Sequence, residues 1–202
     1  MIKNIVFDFG KVMVKFDPEY MVSKYVSDKD DINLLESVVF DRLYWDKLDE
    51  GTISDNEVVR ACKERLPSRL HGRVDEIYYN WIYNIPEIEG MRDLIIYLKK
   101  TYGVRIFLLS NICKYFASHS SEISILKEFD DCIFSAVCGY VKPNKDIYAY
   151  LCDRCRIRPN EAVFIDDNIN NVRGAEEYGI KAYLFDGDVN KLKAFLDDLL
   201  IN

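Results

Sequence analysis

The stretch Ile5–Val14, IVFDFGKVMV, decides how the chain folds. It opens as an apolar run of the kind buried in a parallel sheet and stops on a carboxylate, Asp8, with Gly10 two residues later. A buried carboxylate is costly unless something pairs with it. Asp8 is therefore expected at the mouth of the strand or against a cation.

Further short apolar runs follow: RIFLLS (105–110), DCIFSAV (131–137), AVFIDD (162–167) and KAYLFD (181–186). Each leads into a helical pattern, and strands alternating with helices predict βαβ units in a doubly wound, Rossmann-like α/β core with a parallel sheet. Several runs end on polar residues: Asp8, Ser110 with Asn111, and Asp166 with Asp167. The carboxyl ends of the strands form the ligand crevice of such a sheet, so these side chains are expected to converge.

Between Asp17 and about Asn84 the texture is helical without strand-like runs. Asp17-Pro18-Glu19 reads as N-cap, first-turn proline and first-turn acid, and Ser54 with Glu57 as a capping box opening NEVVRACKERL (56–66). Residues 17–85 thus read as an inserted α-helical cap and residues 1–16 and 86–202 as the core. Hinges are expected near Phe16-Asp17 and Asn84–Pro86, with the core resuming in a helix EIEGMRDLIIYLKK (87–100). Glu50-Gly51 reads as an ordinary helix C-cap. The cap aromatics Tyr44, Trp45, Tyr78, Tyr79, Trp81 and Tyr83 fall at helical spacing, which predicts a packed cap interior in preference to a sugar-binding wall.

Composition narrows the partners. The 202 residues are 49% hydrophobic and 30% charged, a globular balance. A formal charge of −7 with no Lys/Arg-rich run argues against nucleic acid and anionic membrane as partners and for a small molecule. No signal-peptide pattern and no apolar stretch near membrane-spanning length is present, which predicts a soluble cytoplasmic protein. The 6 cysteines read as reduced thiols. Cys152 and Cys155 form a CxxC inside a helical run with no second pair, so they are expected to pack rather than bind zinc. His119 is expected on an exposed helix and has no assigned role.

Asp8, Ser110-Asn111, Lys142 in GYVKPNKDIY (139–148) and Asp166-Asp167 in FIDDNINNVRGA (164–175) occur in an order and spacing that closely resemble the haloacid dehalogenase (HAD) superfamily of phosphohydrolases. The likeness extends over nearly the whole chain. A helical cap between the first and second motifs matches subfamily I, and the motifs are similar to a branch containing sugar-phosphate phosphatases. The resemblance implies a Mg²⁺-dependent phosphatase of small phosphorylated metabolites. Asp8 would be the nucleophile, forming an aspartyl-phosphate. Asp8, Asp166, Asp167 and the Gly10 carbonyl would hold the metal, with the direct ligand of the Asp166-Asp167 pair left open. Phe9, Gly10, Ser110, Asn111 and Lys142 would hold the phosphate, Lys142 acting with Asp8 as a catalytic residue that also neutralises the nucleophile's charge, and Asn171 would orient Lys142 or a metal-bound water.

One position departs from the pattern. Family phosphatases usually carry a second Asp where this chain has Gly10, and that Asp serves as general acid and base, a contribution of roughly 10²–10⁴ in rate. Asp17 and Lys11 are nearby in sequence, and nothing in the sequence places either on the leaving group. Two other readings follow from the gap: a catalytically weak phosphate-binding or regulatory protein, and a 2-haloacid dehalogenase. The second is disfavoured because those relatives resemble Ser-Ser-Asn, not Asp-Asp, in the fourth motif.

Overall fold

A computed structural model describes residues 1–201. Five parallel strands, β1 (Asn4–Phe7), β2 (Arg105–Ser110), β3 (Asp131–Phe134), β4 (Ala162–Asp166) and β5 (Lys181–Leu184), form one sheet in the order β3-β2-β1-β4-β5. β1 is central and all four of its residues are buried. Its side chains alternate between two cores, Ile5 and Phe7 facing one and Val6 the other. That is why the run is apolar throughout.

After β1 the chain passes through α1 (Pro18–Ser23), α2 (Lys29–Val39), α3 (Arg42–Glu50), α4 (Asp55–Glu64) and α5 (His71–Asn80). It then alternates with the strands as α6 (Met91–Tyr102), α7 (Lys114–His119), α8 (Ser135–Cys138), α9 (Lys145–Cys155), α10 (Ile169–Tyr178) and α11 (Val189–Ile201). Helices α6 and α11 contribute Met91, Leu94, Leu192 and Leu196 to one core, while α9 and α10 contribute Ile147, Tyr148, Leu151 and Ala175 to the other. None of the described helices is long and apolar enough to cross a membrane.

Local signals explain the helix ends. Asp17 caps α1 through the Tyr20 N–H with Pro18 in its first turn, and the Ser54–Glu57 capping box opens α4. Gly51 ends α3 in the left-handed conformation, φ 72°. Two expectations need correction. The helix expected from Glu87 begins at Met91, because Ile88 N–H donates to the Met13 carbonyl and Gly90 turns the chain at φ 86°. The run 131–137 leaves the sheet at Phe134 and closes a helical turn that ends on Gly139 at φ 81°.

The two passes of chain expected to be hinges are laced together. Lys15 N–H donates to the Pro86 carbonyl at 2.8 Å, and Val14 bridges Glu87 in antiparallel fashion. Phe16 packs edge-on against Phe40, Trp45 and Trp81. The apolar interior of α1–α5 is continuous with the core on the Ile5/Phe7 face of the sheet.

Candidate active site

Register brings three strand ends together. Phe7 pairs with Leu108 on one side and Ile165 on the other, which sets Asp8 level with Asp166, and the Asp8 N–H donates to the Ile165 carbonyl at 2.9 Å. Lys142 enters from the loop between α8 and α9. Its ammonium donates to Asp8 Oδ1 at 2.6 Å and to Asp166 Oδ2 at 2.7 Å. Burial alone would lower its pKa, but the two carboxylates outweigh burial and hold Lys142 above its ordinary value, so it is charged.

Asn111 holds that loop in place. Its Nδ2 donates to the Lys142 carbonyl at 3.0 Å, and its Oδ1 accepts the Lys142 N–H at 2.8 Å. The side chain thereby pins Lys142 to the end of β2, a job not foreseen for it. Of the two partners expected for Asn171, Lys142 is not bonded directly: the Asn171 Nδ2 donates to both Asp166 oxygens, at 3.1 and 3.0 Å. One helical turn past Asp167, it is placed to reach back to the strand end.

A cavity of about 540 Å³ opens above these groups, lined by the expected Asp8, Phe9, Gly10, Ser110, Asn111, Lys142, Asp167 and Asn171. Asp166 lies fully buried beneath it. The ligand atoms of Asp8, Asp166 and Asp167 lie within 4.8 Å of one another. Three carboxylates against one ammonium leave two net negative charges, all of them on hard oxygen donors. Burial pushes the Asp8 carboxyl up to about 6 against the pull of Lys142, and burial with Asp166 repulsion raises Asp167. A hard divalent cation fits this donor set and this charge imbalance. The paired aspartates differ in freedom. Asp166 already accepts from Lys142, Asn168 N–H and Asn171, whereas Asp167 takes no donor from another residue among those described and faces the cavity.

A family model described as haloacid dehalogenase-like hydrolase matches residues 2–179. The chain belongs to this family. Among its relatives is a D-ribitol-5-phosphate phosphatase from Bacteroides thetaiotaomicron, 28% identical over 196 residues that cover 91% of each protein. A HAD-like family hydrolase from Porphyromonas gingivalis has the same fold, with a TM-score of 0.71, 26% identity and 98% of each chain covered. A HAD family enzyme from B. thetaiotaomicron, crystallised with magnesium and inorganic phosphate, gives a TM-score of 0.70 at 20% identity, covering 95% of this chain and 99% of that one.

Other expectations meet mixed outcomes. Cys152 and Cys155 are buried on α9, and burial pushes their thiols up to about 11 and about 12, so both stay protonated packing groups. Asp17 is exposed and capping α1, while Lys11 lines the cavity. His119 is half-buried, its ring against Tyr115, where an exposed position was expected. Trp45 and Trp81 pack with Phe16 and Phe40, as their helical spacing predicts, and the same two side chains also line the cavity. Tyr78 is interior, bonded to Asp55, and Tyr83 is exposed.

Gly174 is a residue the sequence reading passed over. A Cβ there would stand 2.6 Å from the Pro143 carbonyl oxygen, so α10 backs directly onto the Lys142 loop. A glycine inside a helical run, which costs up to about 1 kcal/mol relative to alanine, was the available signal. Gly174→Ala is expected to force these backbones apart and destabilise the protein by about 1–3 kcal/mol, measured as the shift in urea midpoint. An unchanged or raised midpoint would show that the approach is not tight.

Proposed function

We propose that the chain is a Mg²⁺-dependent phosphatase of small phosphorylated metabolites, with polyol and sugar phosphates the first class to test. The observation that carries this reading is the fully buried Lys142 ammonium held between Asp8 and Asp166 at the floor of a cavity. Phosphoryl transfer needs a nucleophile, charge neutralisation and positioning, and little other chemistry. The B. thetaiotaomicron relative acts on a polyol phosphate, which supports the choice of substrates.

In this reading Asp8 attacks phosphorus, and the P–O bond to the leaving group breaks as the aspartyl-phosphate forms. Lys142 neutralises the phosphoryl oxygens and keeps Asp8 ionised, while the Ser110 hydroxyl and backbone N–H groups around Phe9, Gly10 and Asn111 hold the phosphate. Asp8, Asp167 and the Gly10 carbonyl would hold Mg²⁺, with Asp166 fixing Lys142 and Asn171. When bound, Mg²⁺ supplies further charge neutralisation for the phosphoryl group. Residues 17–85 act as the cap, contributing Trp45, Trp81 and their neighbours to the wall that meets the organic part of the substrate.

Phosphate release from a panel of sugar and polyol phosphates, with Mg²⁺ and with EDTA, tests the reading. Release is expected with Mg²⁺ and its loss with EDTA. No release from any member with Mg²⁺ would overturn it. Asp167→Ala should raise the Mg²⁺ concentration needed for half-maximal rate by at least roughly tenfold.

A further inference from the structure

Phosphoryl transfer to and from Asp8 leaves two proton movements without an owner, and Gly10 is where the family's usual carboxylate is missing. The gap is real in three dimensions: a Cβ built on Gly10 meets nothing within 4 Å, and the residue borders the cavity. Three carboxylates line that cavity, those of Asp8, Asp49 and Asp167. Asp8 and Asp167 belong to the metal-fitting cluster. Asp49 does not.

Asp49 arrives from the other side, on the last turn of α3. Its carboxylate has no hydrogen-bond or ion-pair partner among the described residues, although the side chain is half-buried and within electrostatic reach of Lys142 and Asp8. Its oxygens open onto the cavity and are not sealed in the core, so they are available to a substrate or a water. Its backbone, by contrast, is firmly held. Ser135 Oγ donates to the Asp49 carbonyl at 2.6 Å, and Ser135 Oγ in turn accepts the Ile112 N–H at 2.9 Å, tying α3 to the end of β2. Two residues on, Gly51 sits so close to α8 that a Cβ would stand 2.9 Å from the Ala136 carbonyl oxygen. The end of α3 is therefore docked on the core with a free carboxyl aimed into the cavity.

Resting on the phosphatase reading, we propose that Asp49 is the general acid and base of the reaction, supplied by the helical segment in place of the carboxylate absent at Gly10. In the first step an Asp8 oxygen bonds to phosphorus, and the P–O bond to the leaving group breaks. Its electron pair goes to the leaving oxygen, which takes the proton of the Asp49 carboxylic acid. In the second step a water oxygen bonds to phosphorus, and the bond to Asp8 breaks with its electron pair returning to the Asp8 carboxylate. The water proton goes to Asp49, which is thereby reset, and inorganic phosphate leaves.

The electrostatics suit a group that must begin protonated. Burial is the largest influence on Asp49 and pushes it up to about 7; Asp46 on its own helix and Asp8 on the core add to this, while Arg42 and Lys142 oppose it. Lys11 and Asp167 are the other charged groups on the cavity wall. A raised carboxyl keeps its proton up to near neutral pH and loses it above, so the acid-assisted rate falls as pH rises through about 7.

The test compares wild type and Asp49→Asn on a primary alkyl phosphate, a poor leaving group, and on p-nitrophenyl phosphate, a good one, both with Mg²⁺. The variant is expected to lose about 10²–10⁴-fold on the alkyl ester. On p-nitrophenyl phosphate it should release one equivalent of nitrophenol in a burst and then turn over slowly, because the first step needs no acid and the second lacks its base. The burst itself reports a folded protein with a working Asp8. Wild type on the alkyl ester should lose rate above about pH 7, a readout that needs no variant. Turnover of both esters by the variant within about threefold of wild type, an equal fall on both without a burst, or a flat wild-type profile from about pH 6 to 9 would each overturn the assignment. Wild type inactive on every ester would instead overturn the phosphatase reading and take this one with it.

Discussion

Asp8→Asn is expected to abolish phosphate release, by on the order of 10⁴-fold or more, and to leave the fold intact. The amide cannot attack phosphorus, and the other carboxylates stand elsewhere: Asp166 is fully buried beneath the cavity, Asp167 follows on another strand end, and Asp49 reaches the cavity from α3. Asparagine keeps the shape of the side chain, and its Oδ1 can still accept from Lys142, which is 2.6 Å from the aspartate oxygen. Removing one of three crowded carboxylates also relieves repulsion between Asp8 and Asp166. The urea midpoint without metal should therefore stay level or rise while activity vanishes. A rate within tenfold of wild type would show that Asp8 is not the nucleophile.

Asp8 and Lys142 were legible in the sequence for different reasons. Asp8 ends an apolar run, and the buried strand it implies is β1, central in the sheet and covered on both faces. Lys142 follows no strand-like run. Its identity came from the order of motifs, and only the folded chain shows why it sits there: Asn111 grips both its N–H and its carbonyl. The distinction between Asp166 and Asp167 was not legible, because adjacent residues differ in which direction they face and not in type. The alternation of a strand turns Asp166 inward to Lys142 and Asn171, and Asp167 then leads into the turn before α10.

Asp49 was hidden for a related reason. In sequence it is one acid among several in YWDKLDEG, next to a glycine C-cap, and that local pattern is fully explained by helix ending. Its distinguishing property, a half-buried carboxyl without a donor, arises from the docking of α3 on α8, a contact between segments 86 residues apart. Trp45 and Trp81 carry the same lesson. Helical spacing predicts that they pack, and they do, but the face they leave uncovered is fixed by where the helical segment meets the strand ends.

Lys142→Met is expected to cost both activity and stability. The ammonium is the only cation bonded to either Asp8 or Asp166 among the described residues, and its side chain is 1% exposed. Methionine can fill the path of the stem, which brings the ammonium to 5.3 Å from the Phe164 ring centroid, so little packing is lost. What remains is a pair of buried carboxylates with no counter-charge. Breaking such an arrangement by removing one partner costs about 3–5 kcal/mol. In a chain of this size that lowers the thermal midpoint by roughly 6–20 °C. The charge account can be separated from a packing account by adding Asp8→Asn to Lys142→Met. If uncompensated charge is the cause, the double variant should be more stable than Lys142→Met alone, because one of the stranded carboxylates is gone. Mg²⁺ should also stabilise Lys142→Met more than it stabilises wild type, since it replaces the missing positive charge. Urea melts of the four proteins in EDTA, repeated with Mg²⁺, measure each of these shifts. Equal midpoints for Lys142→Met and wild type in EDTA would mean that the two carboxylates share a proton instead of relying on the lysine, and the charge-clamp reading of the site would fall.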